Sequence, residues 1–227
     1  MIVDVIIPAW NEEASIGKVV RDIDRTVVRH VFVTDNNSRD RTAEVAREAG
    51  ATVLTEKRQG YGSACLKGIA AANDCDPPAD IIVFMDADYS DYAEEMPQLL
   101  APIISGEADM VIGSRALGDR ESGSMTGPQV FGNWLATRMI RVIYGFRYSD
   151  LGPYRAIRLD ALNRLGMRDP DYGWTVEMQV KALHKKLKIK EVPVNYRKRI
   201  GVSKVSGTVK GTILAGYKII TTIIKYA

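Results

Sequence analysis

Short apolar runs rich in β-branched residues alternate with stretches of helical periodicity through the first half of this chain. That alternation limits the fold more than any single motif does. The runs fall at 3–7, 31–34, 52–55, 81–85 and 110–113, and the helical patterns at 13–28, 42–49, 63–73 and 94–104. The runs are nearly continuous, as strands covered on both faces must be. A β-α-β-α order of this kind predicts an α/β fold with a mostly parallel central sheet and helices on both faces. Ligands of such sheets bind beyond the carboxyl ends of the strands, and here the polar residues cluster at those ends.

Further along, helices are expected at 131–144, 160–165 and 175–186 and a strand at 189–196, with a polar turn around Ser149 and Asp150. The Gly-rich stretch 117–127 reads as a mobile surface loop or lid. At 227 residues the chain is long enough for one large domain, taken as 1–206, with a helical appendage at 207–227. Its 31 Lys+Arg against 28 Asp+Glu leave a net charge of only +3, which argues against a nucleic-acid partner. Cys65 and Cys75 are too few for a disulfide framework and point to a reducing compartment. No signal-peptide pattern and no bilayer-spanning apolar run is present. The protein is therefore expected in the cytoplasm, or peripherally on the cytoplasmic face of a membrane.

The strand ends carry the candidate chemistry. The 81–85 run passes directly into Asp86-Ala87-Asp88, and beyond a buried strand two such carboxylates can converge on one cation. Their hard oxygens suit Mg²⁺ or Mn²⁺, which keep open positions for diphosphate oxygens; an ordinary acidic loop is the plain alternative. The first run ends in Pro8-Ala9-Trp10-Asn11-Glu12, where Pro8 is expected to stop the ladder and Asn11 and Glu12 to cap a helix. The second ends in Thr34-Asp35-Asn36-Asn37-Ser38-Arg39-Asp40. These two ends together make a polar crevice suited to the base and ribose of a nucleotide. The third leads to Arg58-Gln59-Gly60-Tyr61-Gly62, a cationic start to a helix whose glycines allow close approach. Cys65 replaces the third glycine of the dinucleotide fingerprint, so a Rossmann site is not indicated.

Further matches are Gly113-Ser114-Arg115, Asp150-Leu151-Gly152-Pro153-Tyr154-Arg155, Glu177, and Val192-Pro193-Val194-Asn195-Tyr196 followed by Arg199, Gly201, Ser203 and Lys204. In this order and spacing the motifs resemble the inverting family 2 glycosyltransferases of GT-A fold, and among them the dolichyl- and polyprenyl-phosphate sugar synthases. The resemblance runs from about Val3 to Lys204. It implies a nucleotide-sugar site made by Pro8, Ala9, Asn11, Glu12, Asp35, Asn37, Arg58, Gly60, Asp86, Ala87 and Asp88. It further implies that Asp86 and Asp88 hold Mg²⁺ or Mn²⁺ and that Arg115 positions donor or acceptor phosphates. Arg199, Ser203 and Lys204 would close over the diphosphate. The relatives often carry Leu-Gln after the Asp-x-Asp, where Tyr89-Ser90 stands here; Ser90, Asp91 or water would then supply a third metal ligand.

In the implied reaction, a sugar leaves a nucleoside diphosphate whose growing charge is met by the metal and by Arg199 and Lys204. A polyprenyl phosphate acceptor is already anionic and needs no strong base. A hydroxyl acceptor must lose a proton, with Glu177 or Asp150 as the candidate base; Glu177 otherwise reads as an exposed acid on an amphipathic helix. Tyr172 and Trp174 form an apolar platform for a sugar or lipid, or simply pack. At the C-terminus, Ile213, Tyr217, Ile219, Ile220, Ile223 and Ile224 share one helical arc, with Lys210, Lys218 and Lys225 opposite. Such a helix lies on an anionic membrane, docks on the catalytic core, or pairs two copies in a homodimer. The favoured function is metal-dependent transfer from a UDP- or GDP-sugar to a polyprenyl phosphate. The alternatives are transfer to a soluble or glycolipid hydroxyl, and a non-catalytic nucleotide-sugar or membrane-surface module.

Overall fold

Three strands at the N-terminal side pair in parallel: β1 (Val3–Ala9), buried along its whole length, β2 (Val28–Asp35), mostly buried, and the half-exposed edge strand β3 (Thr52–Thr55). With β4 (Ile81–Phe84), β5 (Met110–Ser114), β6 (Arg155–Arg158) and β7 (Ile189–Pro193) they form a seven-stranded sheet in the order β3-β2-β1-β4-β6-β5-β7. The computed structural model describes residues 1–203 and 209–227. The helices are α1 (Ile16–Asp22), α2 (Thr42–Glu48), α3 (Tyr61–Asn73), α4 (Met96–Ile104), α5 (Gly127–Tyr144), α6 (Leu159–Leu165), α7 (Trp174–His184) and α8 (Val209–Lys225). One apolar layer packs α1, α2 and α4 on one face of the sheet; the other packs α3, α5, α6 and α7 on the opposite face. β1 lies next to both β2 and β4, as a GT-A fold is expected to arrange them, and so the ligand crevice falls where the strand order reverses.

Several local expectations are corrected. Pro8 does not stop β1: the strand continues on the β2 side through Pro8↔Thr34 and Ala9↔Asp35, while pairing with β4 ends at Ile6↔Phe84. The two strands part there and the crevice opens. The helix expected over 13–28 ends at Asp22, because Asp24 turns the chain by accepting from the N–H and hydroxyl of Thr26. Val28 then enters β2.

Strand β6 is absent from the sequence expectations. It is flanked by Arg155 and Arg158 and runs antiparallel between β4 and β5. The Arg155 guanidinium is fully buried, an arrangement sustainable only with partners; it donates to the carbonyls of Leu151, Gly152 and Thr175. No apolar pattern announces such a strand.

Helix α5 starts four residues earlier than its apolar pattern. Thr126 and Gln129 form a reciprocal capping box, and Pro128 fits the first turn. The preceding 117–127 stretch is stitched to the chain after β7: Tyr196 N–H donates to the Asp119 carbonyl and Glu121 N–H to the Tyr196 carbonyl, both at 2.9 Å. Pro193 ends β7 short of the expected 196, and Tyr196 retains only isolated bridges to Asp91 and Arg120.

Helix α8 packs on α5 and α7. Its isoleucine arc splits: Ile223 is buried and Tyr144 donates to its carbonyl, whereas Ile213, Leu214, Tyr217 and Ile224 face outward. Among the described residues no helix is long and apolar enough to cross a membrane.

Candidate active site

The carboxyl ends of β1 and β4 frame a cavity of about 310 Å³. From the first strand come Pro8, Ala9 and, just beyond, Glu12; from the turn after β4 come Asp86, Ala87 and Asp88. Gly60 closes one side at the start of α3, and Arg199 and Ser203 reach in from the chain beyond β7. Nine of the residues implied by the sequence thus line one cavity, though they are drawn from positions 8 to 203.

Asp88 is held with unusual care. The Ser90 N–H and hydroxyl both donate to its Oδ1, which leaves Oδ2 facing Arg199 Nη1 at 3.1 Å. The same guanidinium donates to Glu12 Oε1 at 2.9 Å. Tyr61 donates to Asp86 Oδ1 at 3.1 Å, and the Asp86 N–H donates to Asp91 Oδ2 at 3.3 Å. Burial and then repulsion from Asp88 push the Asp86 carboxyl up to about 7. Burial also pushes Asp91 up, with the Asp86 charge adding to it. Ser90 thus shapes the turn through Asp88, while Asp91 is buried with its Oδ1 lacking a hydrogen-bond partner.

The turn itself bends through Tyr89, at φ +66°, a left-handed conformation costly for a bulky L residue. Its ring compensates: the Arg197 guanidinium stacks 3.4 Å from the Tyr89 centroid and 4.3 Å from that of Tyr92, and donates to the Tyr89 and Asp91 carbonyls. The Arg197 N–H donates to the Ser90 carbonyl and the Ile200 N–H to the Asp88 carbonyl. The departure from Leu-Gln at 89–90 thus builds a clamp that carries Arg199 to Asp88.

Other expected site residues lie elsewhere. Asn11, at φ +53°, ties the first two strand ends together: its N–H donates to Ser38 Oγ and its Oδ1 accepts from the Arg39 N–H. Asn37 and Arg58 are exposed and outside the cavity; the Arg58 carbonyl accepts from Asn36. Asp35 is buried behind the lining, its Oδ1 without a hydrogen-bond partner. Arg115 is bound by Asp150 through Nε and Nη2, both at 2.8 Å, with Tyr196 at 5.0 Å from its guanidinium. Burial works against both charges, but each holds the other ionised. Lys204 lies outside the described residues.

Glu177 is the largest correction. It is buried away from the cavity and accepts from the Arg168 and Asp169 N–H groups and the Tyr226 hydroxyl, with Lys181 Nζ at 2.7 Å. An exposed acid on an amphipathic helix it is not. Trp174 is likewise core, edge-on to Phe84, whereas its neighbour Tyr172 does line the cavity. The sequence reading also missed Trp10, Asn36, Gln59, Tyr61, Ala64 and Asp171 as lining residues. For Trp10, Asn36, Gln59 and Tyr61 the signal was present, since they sit inside motifs already singled out.

The Glycosyl transferase family 2 sequence model matches residues 4–166. The chain belongs to glycosyl transferase family 2. Within the family, an uncharacterized glycosyltransferase of Mycobacterium tuberculosis is 36% identical over 216 residues, 94% of each chain. The dolichyl-phosphate hexose transferase of Haloferax volcanii is 32% identical over 204 residues, 88% of this chain and 85% of its own. Among solved structures, glucosyl-3-phosphoglycerate synthase of Mycobacterium tuberculosis, in complex with Mn²⁺, UDP-glucose and phosphoglyceric acid, aligns with a TM-score of 0.78 at 23% identity. The match covers 99% of this chain and 79% of that one. The shared fold is the GT-A fold, and this family 2 protein is a glycosyltransferase.

Proposed function

We propose that the cavity binds a UDP- or GDP-sugar with Mg²⁺ or Mn²⁺ and that the sugar passes to a polyprenyl phosphate. The observation that carries the donor half is the arrangement around Asp88 at the cavity wall, where Ser90 fixes Oδ1 and Oδ2 pairs with Arg199. The site fits a divalent ion: Asp86 and Asp88 are crowded hard oxygens, and burial, with Asp88 beside it, disfavours a bare charge on Asp86. Among the described residues no three His, Cys, Asp or Glu side chains form a ready-made cage. An ion held by one or two carboxylates would take diphosphate and water to complete its sphere. Such an ion, when bound, neutralises charge on the departing diphosphate.

The chain's own residues do the rest. Arg199 presents a planar donor pair to phosphate oxygens from between Glu12 and Asp88. Gly60 allows the backbone at the start of α3 to come close, and its φ of +140° is one that an L side chain rarely adopts. Trp10 and Tyr172 supply flat apolar walls.

For the acceptor, neither carboxylate offered as a base lines the cavity: Glu177 is saturated by partners and Asp150 is locked on Arg115. An acceptor that arrives already ionised needs neither. The outward faces of two adjacent helices support a lipid source. On α5, Phe131 and Trp134 are exposed with Arg138 and Arg141 at the next helical spacings; on α8, Ile213, Leu214, Tyr217 and Ile224 are exposed. Apolar and aromatic groups interleaved with arginines suit an anionic membrane surface. The resemblance to a dolichyl-phosphate hexose transferase points the same way. Incubation with labelled UDP- or GDP-hexose, Mn²⁺ and polyprenyl phosphate is expected to give an organic-extractable labelled product. Label reaching only water-soluble acceptors would overturn the lipid half and leave the enzyme class intact.

A further inference from the structure

The 168–173 loop lies on one side of the donor cavity and under α8 on the other. Its Asp171 and Tyr172 line the cavity. The Pro170 carbonyl accepts from the N–H and hydroxyl of Ser63 in the first turn of α3. Contact there is so close that a Cβ at Gly62 would sit 1.9 Å from the Asp169 carbonyl oxygen. Movement of this loop therefore moves one wall and the Gly60–Ser63 floor together.

Two buried carboxylates shape the loop: Asp169 is gripped by Lys218 of α8 and Glu177 by Tyr226, the residue that follows the helix. Asp169 Oδ1 accepts from the N–H groups of Asp171 at 2.9 Å and Gly173 at 3.2 Å, while Lys218 Nζ lies 3.0 Å from its Oδ2. Glu177 accepts from the N–H of Asp169 at 2.7 Å and from the Tyr226 hydroxyl at 2.9 Å. A Cβ at Gly173 would meet Asp169 Oδ2 at 2.4 Å and Thr222 Oγ1 at 2.8 Å, so the helix and loop are in direct apposition. Around these contacts is a second cavity of about 280 Å³, lined by polar groups such as Arg168 and Thr221. The helix thus grips the loop through a few directed bonds rather than through continuous apolar packing.

We propose that the C-terminal helix sets the shape of the donor cavity. Lys218 and Tyr226 are positioning residues that act through Asp169 and Glu177 on the 168–173 loop. Glu177 contributes here by fixing the loop. The proposal rests on the cavity being a nucleoside-diphosphate site, and it gives the tail a role in donor binding whether or not a membrane is present.

The test is titration calorimetry of UDP and of GDP, each with Mn²⁺, into the full chain without lipid. Wild type is compared with K218M, Y226F, the double variant and K218R, with melting curves to show that each is folded. Either single change is expected to weaken nucleotide binding about three- to tenfold, the usual range for a contact that acts through a neighbour. The double variant weakens it further, and K218R retains most of the affinity. In turnover, KM for the donor rises while kcat at saturating donor stays within about twofold. An unchanged Kd in the folded double variant overturns the proposal while the donor reading stands. Failure of wild type to bind either nucleotide overturns the donor reading, and this proposal with it.

Discussion

Arg199 lies 3.1 Å from Asp88 across the mouth of the donor cavity, and this ion pair is made by chain segments 111 positions apart, 199 − 88. Its consequence is that the cation proposed to meet the diphosphate is delivered by the segment after β7, not by the sheet. Arg199 also bonds Glu12, so one guanidinium spans both strand ends. R199A is expected to lower kcat by about 10²-fold, the usual cost of deleting one charge-stabilising donor. R199K retains part of the activity, because it keeps the charge and loses the planar pair. Steady-state kinetics at saturating donor checks both.

The Tyr89–Arg197 stack is expected to control how firmly that segment is held. Y89F keeps the ring on the guanidinium and loses only the bond to Asp22, an exposed contact, so its kcat/KM stays within about twofold. Y89L removes the stack and keeps the strained backbone. It should lower kcat/KM by about tenfold and the melting temperature by a few degrees, in line with ~1 kcal/mol for a partly desolvated cation–π contact. Equal kinetics for Y89F and Y89L would show that the ring does not hold the segment.

E177Q separates a general base from a buried brace. Substitution leaves Lys181, itself mostly buried, without its carboxylate partner, at a cost of about 2–3 kcal/mol and a fall in melting temperature of roughly 5–10 °C. The kcat at saturating donor is expected to stay within about threefold, measured below the melting range. A fall of about 10³-fold in kcat with an unchanged donor Kd would restore Glu177 as the base of a hydroxyl-acceptor enzyme.

The outward faces of α5 and α8 predict a separation of lipid contact from donor binding. W134S combined with I224S is expected to weaken flotation with vesicles containing anionic lipid by about tenfold, since each change removes a large exposed apolar group. Binding of UDP or GDP with Mn²⁺ in solution should be unaltered. Retained flotation would move the membrane contact to another surface.

Legibility from sequence followed physical origin. The five runs that became β1 to β5 were readable because continuous apolar strands repeat between helical periods, and the crevice followed from where polar residues ended them. Strand β6 was not readable, since it carries a buried arginine that carbonyl oxygens satisfy only once the fold is formed. Asp86, Asp88 and Glu12 could be placed because they stay local to strand ends, whereas Arg199, six positions beyond β7, was reached only through the family resemblance. Asp171 was not, because its place depends on the Pro170–Ser63 bond, formed between positions 107 apart. Glu177 misled because helical periodicity reports a face, not what covers it: here Tyr226 and Lys181 do.

The most direct test of the account is transfer of label from UDP- or GDP-hexose to polyprenyl phosphate by wild type and D88N, with Mn²⁺ and with a chelator. The account predicts an organic-extractable product that requires the ion and falls by about 10²-fold or more in a folded D88N protein. Transfer that proceeds equally well in D88N, or undiminished in chelator, would contradict it.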